Sequence, residues 1–260
     1  MENIKQEESD VQKENKNKVI NFYWNPILEV RQFLEFFCKQ NNFKNILEIG
    51  PGIVPFSLST ISVGYNEKIN NFVEIDIDDT RLPYFDKSFD FVYSRHVLED
   101  IQNPNFAMNE IIRVSNSGYI ETPSPLIEIT KGVDCTFLSM NYSGYIHHRY
   151  IIWSNIEKCE IYFLPKYNSI IDTYLKYNDE NSHYNMINNF PIYWNNYFIW
   201  KDKTPKIIMY KNGINFNQNG RTIIEDYINL ISQAISVSIN NTNYFLEKYD
   251  INKTREIATL

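Results

Sequence analysis

Glu48, Gly50 and Gly52 stand in the order E-x-G-x-G directly behind the apolar run Asn45–Ile49. With only 8 glycines in 260 residues, two of them two positions apart mark backbone that turns sharply or approaches a ligand closely. An apolar strand, a glycine turn and a helix together are how α/β proteins offer backbone N–H groups to a nucleotide. Pro55 occupies the place of a third fingerprint glycine, and no Gly-Lys-Ser/Thr tripeptide occurs, so neither a dinucleotide fingerprint nor a P-loop is complete. A carboxylate at Glu48 suits a ligand with an amino-bearing end. A purely structural strand-to-helix turn explains the same three residues equally well.

Downstream, acidic and basic groups recur at informative places. Asp76 and Asp78 lie in the run Val73–Asp79, and Ser94, Arg95 and His96 follow the apolar run Phe89–Tyr93. The chain has four histidines, and two of them are adjacent in Tyr145-Ile146-His147-His148-Arg149-Tyr150. A His-Arg pair can supply a proton acceptor and a cationic anchor for phosphate or carboxylate. Adjacent residues on a strand point to opposite faces, so at most one of the two histidines is expected to face a site, and His148 is preferred. Asp134 and Glu128 are weaker candidates for the same role. A metal held by the two histidines needs a third ligand, which the sequence does not locate, so no metal is assigned.

Four motifs in order carry a resemblance. Glu48-x-Gly50-x-Gly52 is followed by Asp78 to Tyr84 as D-x-x-x-L-P-Y, by Ser88-Phe89-Asp90-x-Val92, and by His96-Val97-Leu98-Glu99-Asp100. Glu121-Thr122-Pro123 comes next. This resembles the class I S-adenosylmethionine-dependent methyltransferases, in the branch called methyltransferase type 11, over roughly residues 45–125. The family's version of the fourth motif ends in His, where this chain has Asp100. The resemblance implies S-adenosylmethionine as cofactor and S-adenosylhomocysteine as product. It places Glu48, Gly50 and Gly52 against the methionine part, Asp78 at the adenine amine, and Ser94, Arg95 and His96 beneath the cofactor. An acid ending the second strand binds the ribose in this family, and two placements compete. Either Thr60–Val63 is the second strand, ending near Asn66 and Glu67, or Phe72–Ile75 is, with Asp76 as the ribose ligand. The offset of Asp78 from Leu82-Pro83 favours the first. The resemblance also implies a small-molecule acceptor, with O-methylation of a sugar, nucleotide-linked intermediate or surface-glycan (capsule or lipopolysaccharide) precursor preferred. His148, His147 and Arg149 are then the catalytic candidates.

The elements that must position these residues read as follows. Residues 1–18 form a polar tail. A helix starts near Asn25-Pro26 and stops at Asn41-Asn42, with a stripe at Ile27, Val30, Phe33, Leu34 and Phe37. Strand-like and helix-like pieces then alternate to about residue 123, which argues a Rossmann-like, doubly wound, mostly parallel sheet with flanking helices. Strands are expected at Asn45–Ile49, at Phe89–Ser94 leading into a helix, and at Gly118–Thr122, with a further helix over Pro104–Val114. The C-terminal third is a decorated extension with a strand at Ile207–Tyr210, a turn at Lys211–Gly213 and a helix over Ile223–Leu246. The expected organisation is a tail (1–18) and one methyltransferase domain (19–260), divided into a cofactor-binding core (19–125) and an acceptor-side elaboration (126–260).

Composition narrows the alternatives. A net charge of −7 argues against nucleic-acid partners. Three widely spaced cysteines without a CxxC pair argue against zinc and fit a reducing, cytoplasmic compartment. The polar N-terminus has no signal-like segment, and no apolar run is long enough to span a bilayer. Trp153, Tyr193, Trp194, Tyr197 and Trp200 can stack on a sugar or base, or simply pack. Two other readings remain: a non-catalytic binding protein that keeps the methyltransferase fold, and a nucleotide-binding oxidoreductase, which Pro55 and the missing glycine disfavour.

Overall fold

The structure is a computed structural model and describes residues 25–65, 71–134, 142–176, 178, 180–210 and 223–251. The tail, Asn66, Glu67, Cys135 and the Lys211–Gly213 turn lie outside the described residues. Helix α1 spans Leu28–Gln40 and stops at Asn42, whose φ of 55° is one that asparagine tolerates. Strands β1 (Ile46–Ile49), β2 (Ile61–Gly64), β3 (Phe72–Glu74) and β4 (Phe91–Arg95) follow, then helix α2 (Pro104–Val114) and β5 (Gly118–Pro123). Asn103 caps α2 by accepting from Phe106 N–H, and Pro104 occupies the first turn, where its missing donor costs nothing. The short α3 (Pro125–Ile129) leads towards a second half built from β6 (Tyr150–Asn155), β7 (Glu160–Pro165), α4 (Asn168–Leu175), α5 (Glu180–Asn189), β8 (Asn195–Trp200), β9 (Lys206–Met209) and α6 (Ile223–Lys248).

Six strands form the central sheet in the order β3-β2-β1-β4-β5-β8. All pair in parallel except β8, which runs antiparallel to β5 from Gly118↔Trp200 to Pro123↔Asn195. Every residue of β1, β5 and β8 is buried, as a sheet covered on both faces requires. The core joins Val30 and Leu34 of α1, Met108 and Ile111 of α2, and Phe245 and Leu246 of α6 to the strands. This is the α/β fold expected, with a mostly parallel sheet and flanking helices. A second, three-stranded sheet orders β6-β7-β9. Ser154 of β6, Asn196 of β8 and Asn241 of α6 form a buried polar knot between the two sheets: Asn241 Nδ2 donates to Ser154 Oγ (3.1 Å) and to Tyr197 O (2.7 Å).

Two expectations need correction. No helix follows the glycine turn: residues 50–60 cross to β2 as an irregular loop, and within residues 46–123 the described helix is α2 alone. Pro51 and Pro55 remove two backbone donors from a connection too short for a helix plus two turns. Likewise β4 does not lead into a helix but into a turn over residues 96–103. Of the two readings of the C-terminal aromatic residues, packing holds for four of the five that were named. Trp153, Trp194, Tyr197 and Trp200 are buried, and Trp153 lies flat on Tyr162 at 5.2 Å. Among the described residues no helix is long and apolar enough to cross a membrane.

Candidate active site

The strand order reverses between β1 and β4, and a parallel sheet opens a crevice at the carboxyl ends of its strands at such a point. A cavity of about 300 Å³ lies there. Its walls include Gly50 and Gly52 after β1, Gly64 and Tyr65 at the end of β2, Asp76 and Asp78 after β3, and His96 and Asp100 after β4. A smaller hollow of about 80 Å³ adjoins it on the Gly50–Val54 and Arg95 side. Another hollow, of about 250 Å³ between Lys87 and Lys203, sits near the amino ends of the strands, where this sheet topology offers no ligand crevice.

The glycine turn forms a cradle. Gly50 and Gly52 have φ of +66° and +57°, which favour glycine. A Cβ on Gly52 meets nothing within 4 Å, so the backbone there faces open space. A Cβ on Gly50 falls 2.3 Å from Val97 Cγ2, so that glycine serves the close approach of the turn to residue 97. Glu48 does not line either cavity. Its buried carboxylate accepts from Phe56 N–H (2.7 Å) and Ser62 Oγ (3.2 Å), tying the 50–60 loop to β2, and burial raises its pKa.

Asp76 and Asp78 line the same cavity, reached from β3. The observed strands agree with the first of the two placements, Thr60–Val63 as second strand, so Asp76 comes from the third strand and Tyr65 follows the second. Tyr65 and Asp76 line the same cavity, and interaction with the Asp76 carboxylate foremost raises the Tyr65 phenol to about 12. Asp78 Oδ1 accepts from Gln102 N–H (2.6 Å) and Asn103 N–H (2.9 Å) and so fixes the turn before α2. Only its Oδ2 can then face an adenine amine. Ser94 is buried within β4 and does not line the cavity. His96 does, in a strained backbone conformation with φ 52°. Its Nδ1 is 3.3 Å from Glu99 Oε1, and burial first, then Arg95 and His148, hold the imidazole neutral. Below it Glu121 accepts from Arg95 Nε (2.8 Å) and Asn195 Nδ2 (2.6 Å).

The second half docks on the 96–103 turn. Arg149 N–H donates to Glu99 O (2.7 Å), Arg149 Nε to Asp100 O (2.9 Å), and Tyr150 Oη to Gln102 O (3.1 Å). This brings both histidines to Asp100, which is a correction to the alternating-face expectation. Residues 146–147 form a turn ahead of β6, so the strand rule does not apply. His147 Nε2 and His148 Nε2 lie 3.7 and 3.8 Å from Asp100 Oδ1. His148 is fully buried, with Nδ1 2.5 Å from Glu128 Oε1, and Lys166 Nζ donates to Glu128 Oε2 at 2.6 Å. Burial alone would raise Glu128, but Lys166 and His148 outweigh it and hold the carboxyl at about 2. Burial leads in raising both Glu99 and Asp100. His147, half exposed, is lowered by burial and by His148. Asp134 serves elsewhere, accepting from Ile146 N–H.

The sequence reading missed Asp100 as the third group beside the histidines, although its place at the end of the fourth motif, where the family has His, was a signal. Glu128 was named as a weaker candidate for the role of His148, and the structure sets it against His148 and Lys166 instead. Lys166, far along the chain, carried no signal at all.

The site now bears comparison with known proteins. The family described as "Methyltransferase domain" matches residues 55–120. No curated protein matches the chain. Among solved structures, an S-adenosylmethionine-dependent methyltransferase from Mesorhizobium loti is 16% identical over 34% of this chain and 51% of its own, with a TM-score of 0.28. A possible histamine N-methyltransferase from Thermotoga maritima is 20% identical over 37% and 51%, with a TM-score of 0.29. An S-adenosylmethionine-dependent methyltransferase from Aquifex aeolicus is 14% identical over 42% and 73%, with a TM-score of 0.29. The chain spans about half the length of the first two. The family match thus covers residues 55–120, the stretch that carries the resemblance to class I S-adenosylmethionine-dependent methyltransferases.

Proposed function

We propose that this protein transfers a methyl group from S-adenosylmethionine to a hydroxyl of a small polar acceptor, with a sugar, a nucleotide-linked sugar or a surface-glycan precursor as the preferred class. The observation that carries the reading is convergence: the two turn glycines, Asp76, Asp78 and His96 all line one cavity at the switch point of the sheet. The residues fit the cofactor. Gly52 leaves backbone open to the cavity, Asp78 keeps Oδ2 for an adenine amine while Oδ1 serves the turn, and Asp76 with Tyr65 offers polar groups for ribose hydroxyls. Bound there, S-adenosylmethionine supplies an electrophilic methyl group.

The preference for oxygen over nitrogen rests on the His148–Glu128 pair. A neutral amine attacks with its own lone pair, whereas a hydroxyl gains from a proton acceptor within reach. Glu128 takes the Nδ1 proton of His148 as a hydrogen bond and leaves Nε2 as the acceptor 3.8 Å from Asp100 Oδ1; of the two residues it is Asp100 that lines the cavity. Arg149 is exposed, spends Nε on Asp100 O, and keeps its two terminal nitrogens for an anionic group of the acceptor. The test is incubation with methyl-labelled S-adenosylmethionine and a panel of sugars, nucleotide-linked sugars and small amines. Label entering a hydroxyl-bearing sugar supports the reading; label entering amines alone removes the O-methylation half of it.

A further inference from the structure

Asp100, His147 and His148 bring one carboxylate and two imidazoles to a single point, and their ligand atoms lie within 4.8 Å of one another. We propose that these three side chains form a binding site for one divalent transition-metal cation. In a tetrahedral site with nitrogen and oxygen ligands at about 2.0–2.2 Å, neighbouring ligand atoms stand about 3.4 Å apart. The separations of 3.7 and 3.8 Å from Asp100 Oδ1 therefore need only a few tenths of an ångström of closure, and the two imidazoles, whose ligand atoms lie within 4.8 Å, close the remaining edge by turning the exposed His147.

A second observation points the same way. Ligating histidines characteristically give their other ring N–H to a carboxylate, which sets the tautomer and the ring orientation. Glu128 does this for His148 at 2.5 Å and is itself held by Lys166 at 2.6 Å. With the Nδ1 proton committed to Glu128, the Nε2 lone pair of His148 is directed to the Asp100 side, and full burial prevents the ring from turning away. Arg149 clamps the backbone of Glu99 and Asp100, so the carboxylate ligand sits on a fixed turn. The site is preorganised, not merely crowded.

The donor set selects the cation. Two imidazoles and one carboxylate suit zinc, iron, cobalt or manganese, while magnesium and calcium prefer oxygen ligands throughout. Three protein ligands leave at least one position open, and Asp100 places it on the cavity wall. Cation binding and proton acceptance draw on the same Nε2 lone pair, so the two roles exclude one another at any instant. Binding is measured without turnover, so its failure is distinct from failure of the methyl-transfer reading.

The experiment is titration of the chelator-stripped full chain with Co(II) and Zn(II), followed by calorimetry and by the visible ligand-field absorption of Co(II). One equivalent is expected to bind. His147→Ala and Asp100→Asn should each weaken Co(II) affinity by about 100-fold or more, and Glu128→Gln by about 10–100-fold. His147 is 54% exposed, so its variant folds and decides the matter should Asp100→Asn melt early. The proposal is overturned if the native chain takes up no stoichiometric cation, or if His147→Ala binds as tightly as the native chain.

Discussion

Asp78 spends one carboxylate oxygen on the protein and keeps the other for a ligand. Because Oδ1 accepts from Gln102 and Asn103 N–H, alanine there would loosen the turn as well as the site. Asp78→Asn separates the two effects, since the amide oxygen can still accept from the turn while the NH₂ opposes an adenine amine. We expect it to fold normally and to weaken S-adenosylhomocysteine binding by about 1–3 kcal/mol by calorimetry. The same change at Asp76 should cost less if its role is confined to ribose. The glycines divide similarly. Gly50→Val collides with Val97 and should lower the melting temperature, so it is a poor probe of binding, whereas Gly52→Asn meets open space and suits a positive φ. Gly52→Asn should therefore keep the fold and lose affinity. Catalysis is tested at His148: replacement by Ala should lower turnover by about 10²–10⁴-fold with cofactor affinity nearly unchanged. Should Arg149 anchor the acceptor, Arg149→Ala will raise KM and leave kcat nearly intact. At this scale Gly50, Gly52, Asp76, Asp78 and His96 were legible as residues of one crevice because their motifs are local in sequence, whereas Glu48 and Ser94 do not line it. The acceptor side was only half legible, because Asp100, Glu128, His148 and Lys166 meet solely through the fold.

Glu128 on α3, His148 ahead of β6 and Lys166 just past β7 pin three elements to one buried charge group. Lys166→Met leaves Glu128 buried with its main cationic partner gone, and we expect a loss of about 3–5 kcal/mol in urea unfolding. The pair also sets a pH dependence. Glu128 is depressed from 4.5 to about 2 in the fold, so its contribution is present above about pH 4.5 and is lost as pH falls towards 2. Glu99, raised by burial and by Asp100, contributes with the opposite sign, its share shrinking as pH rises above its ordinary value. Comparison with Glu128→Gln isolates the first group: the stability gap between the native chain and this variant should narrow between about pH 4.5 and 2. A gap that stays constant through that range would mean that Glu128 is not held ionised by Lys166 and His148. The elements themselves were read well where one pattern governs, as in α2 and β5, whose observed limits match the Pro104–Val114 and Gly118–Thr122 readings within a residue. The loop after Gly52 was not, because two prolines and a short connection outweigh the habit of strand–turn–helix. Strands β6, β7 and β8 were missed although Ile151–Trp153, Ile161–Leu164 and Tyr197–Trp200 are β-branched and aromatic runs; the abundance of Asn and Tyr around them blurred their edges.

The whole molecule joins a sheet that opens a cofactor crevice to a second half that carries basic groups to its rim. That joining depends on β8, which returns from the far end of the chain to pair with β5, and on Arg149 and Tyr150, which grip the 96–103 turn. No sequence motif announces this docking, since it rests on backbone carbonyls; the parallel order of β1 to β5, by contrast, follows from motifs spaced as a nucleotide-binding sheet requires. The central claim is that the crevice between β1 and β4 holds S-adenosylmethionine. Calorimetric titration of the full chain with S-adenosylmethionine, repeated on Gly52→Asn, tests it most directly. The account predicts one site in the native chain, with a melting temperature that rises in step with ligand concentration, and a large loss of affinity in the folded variant. Binding of equal strength in native chain and folded variant, or none in the native chain, would contradict it.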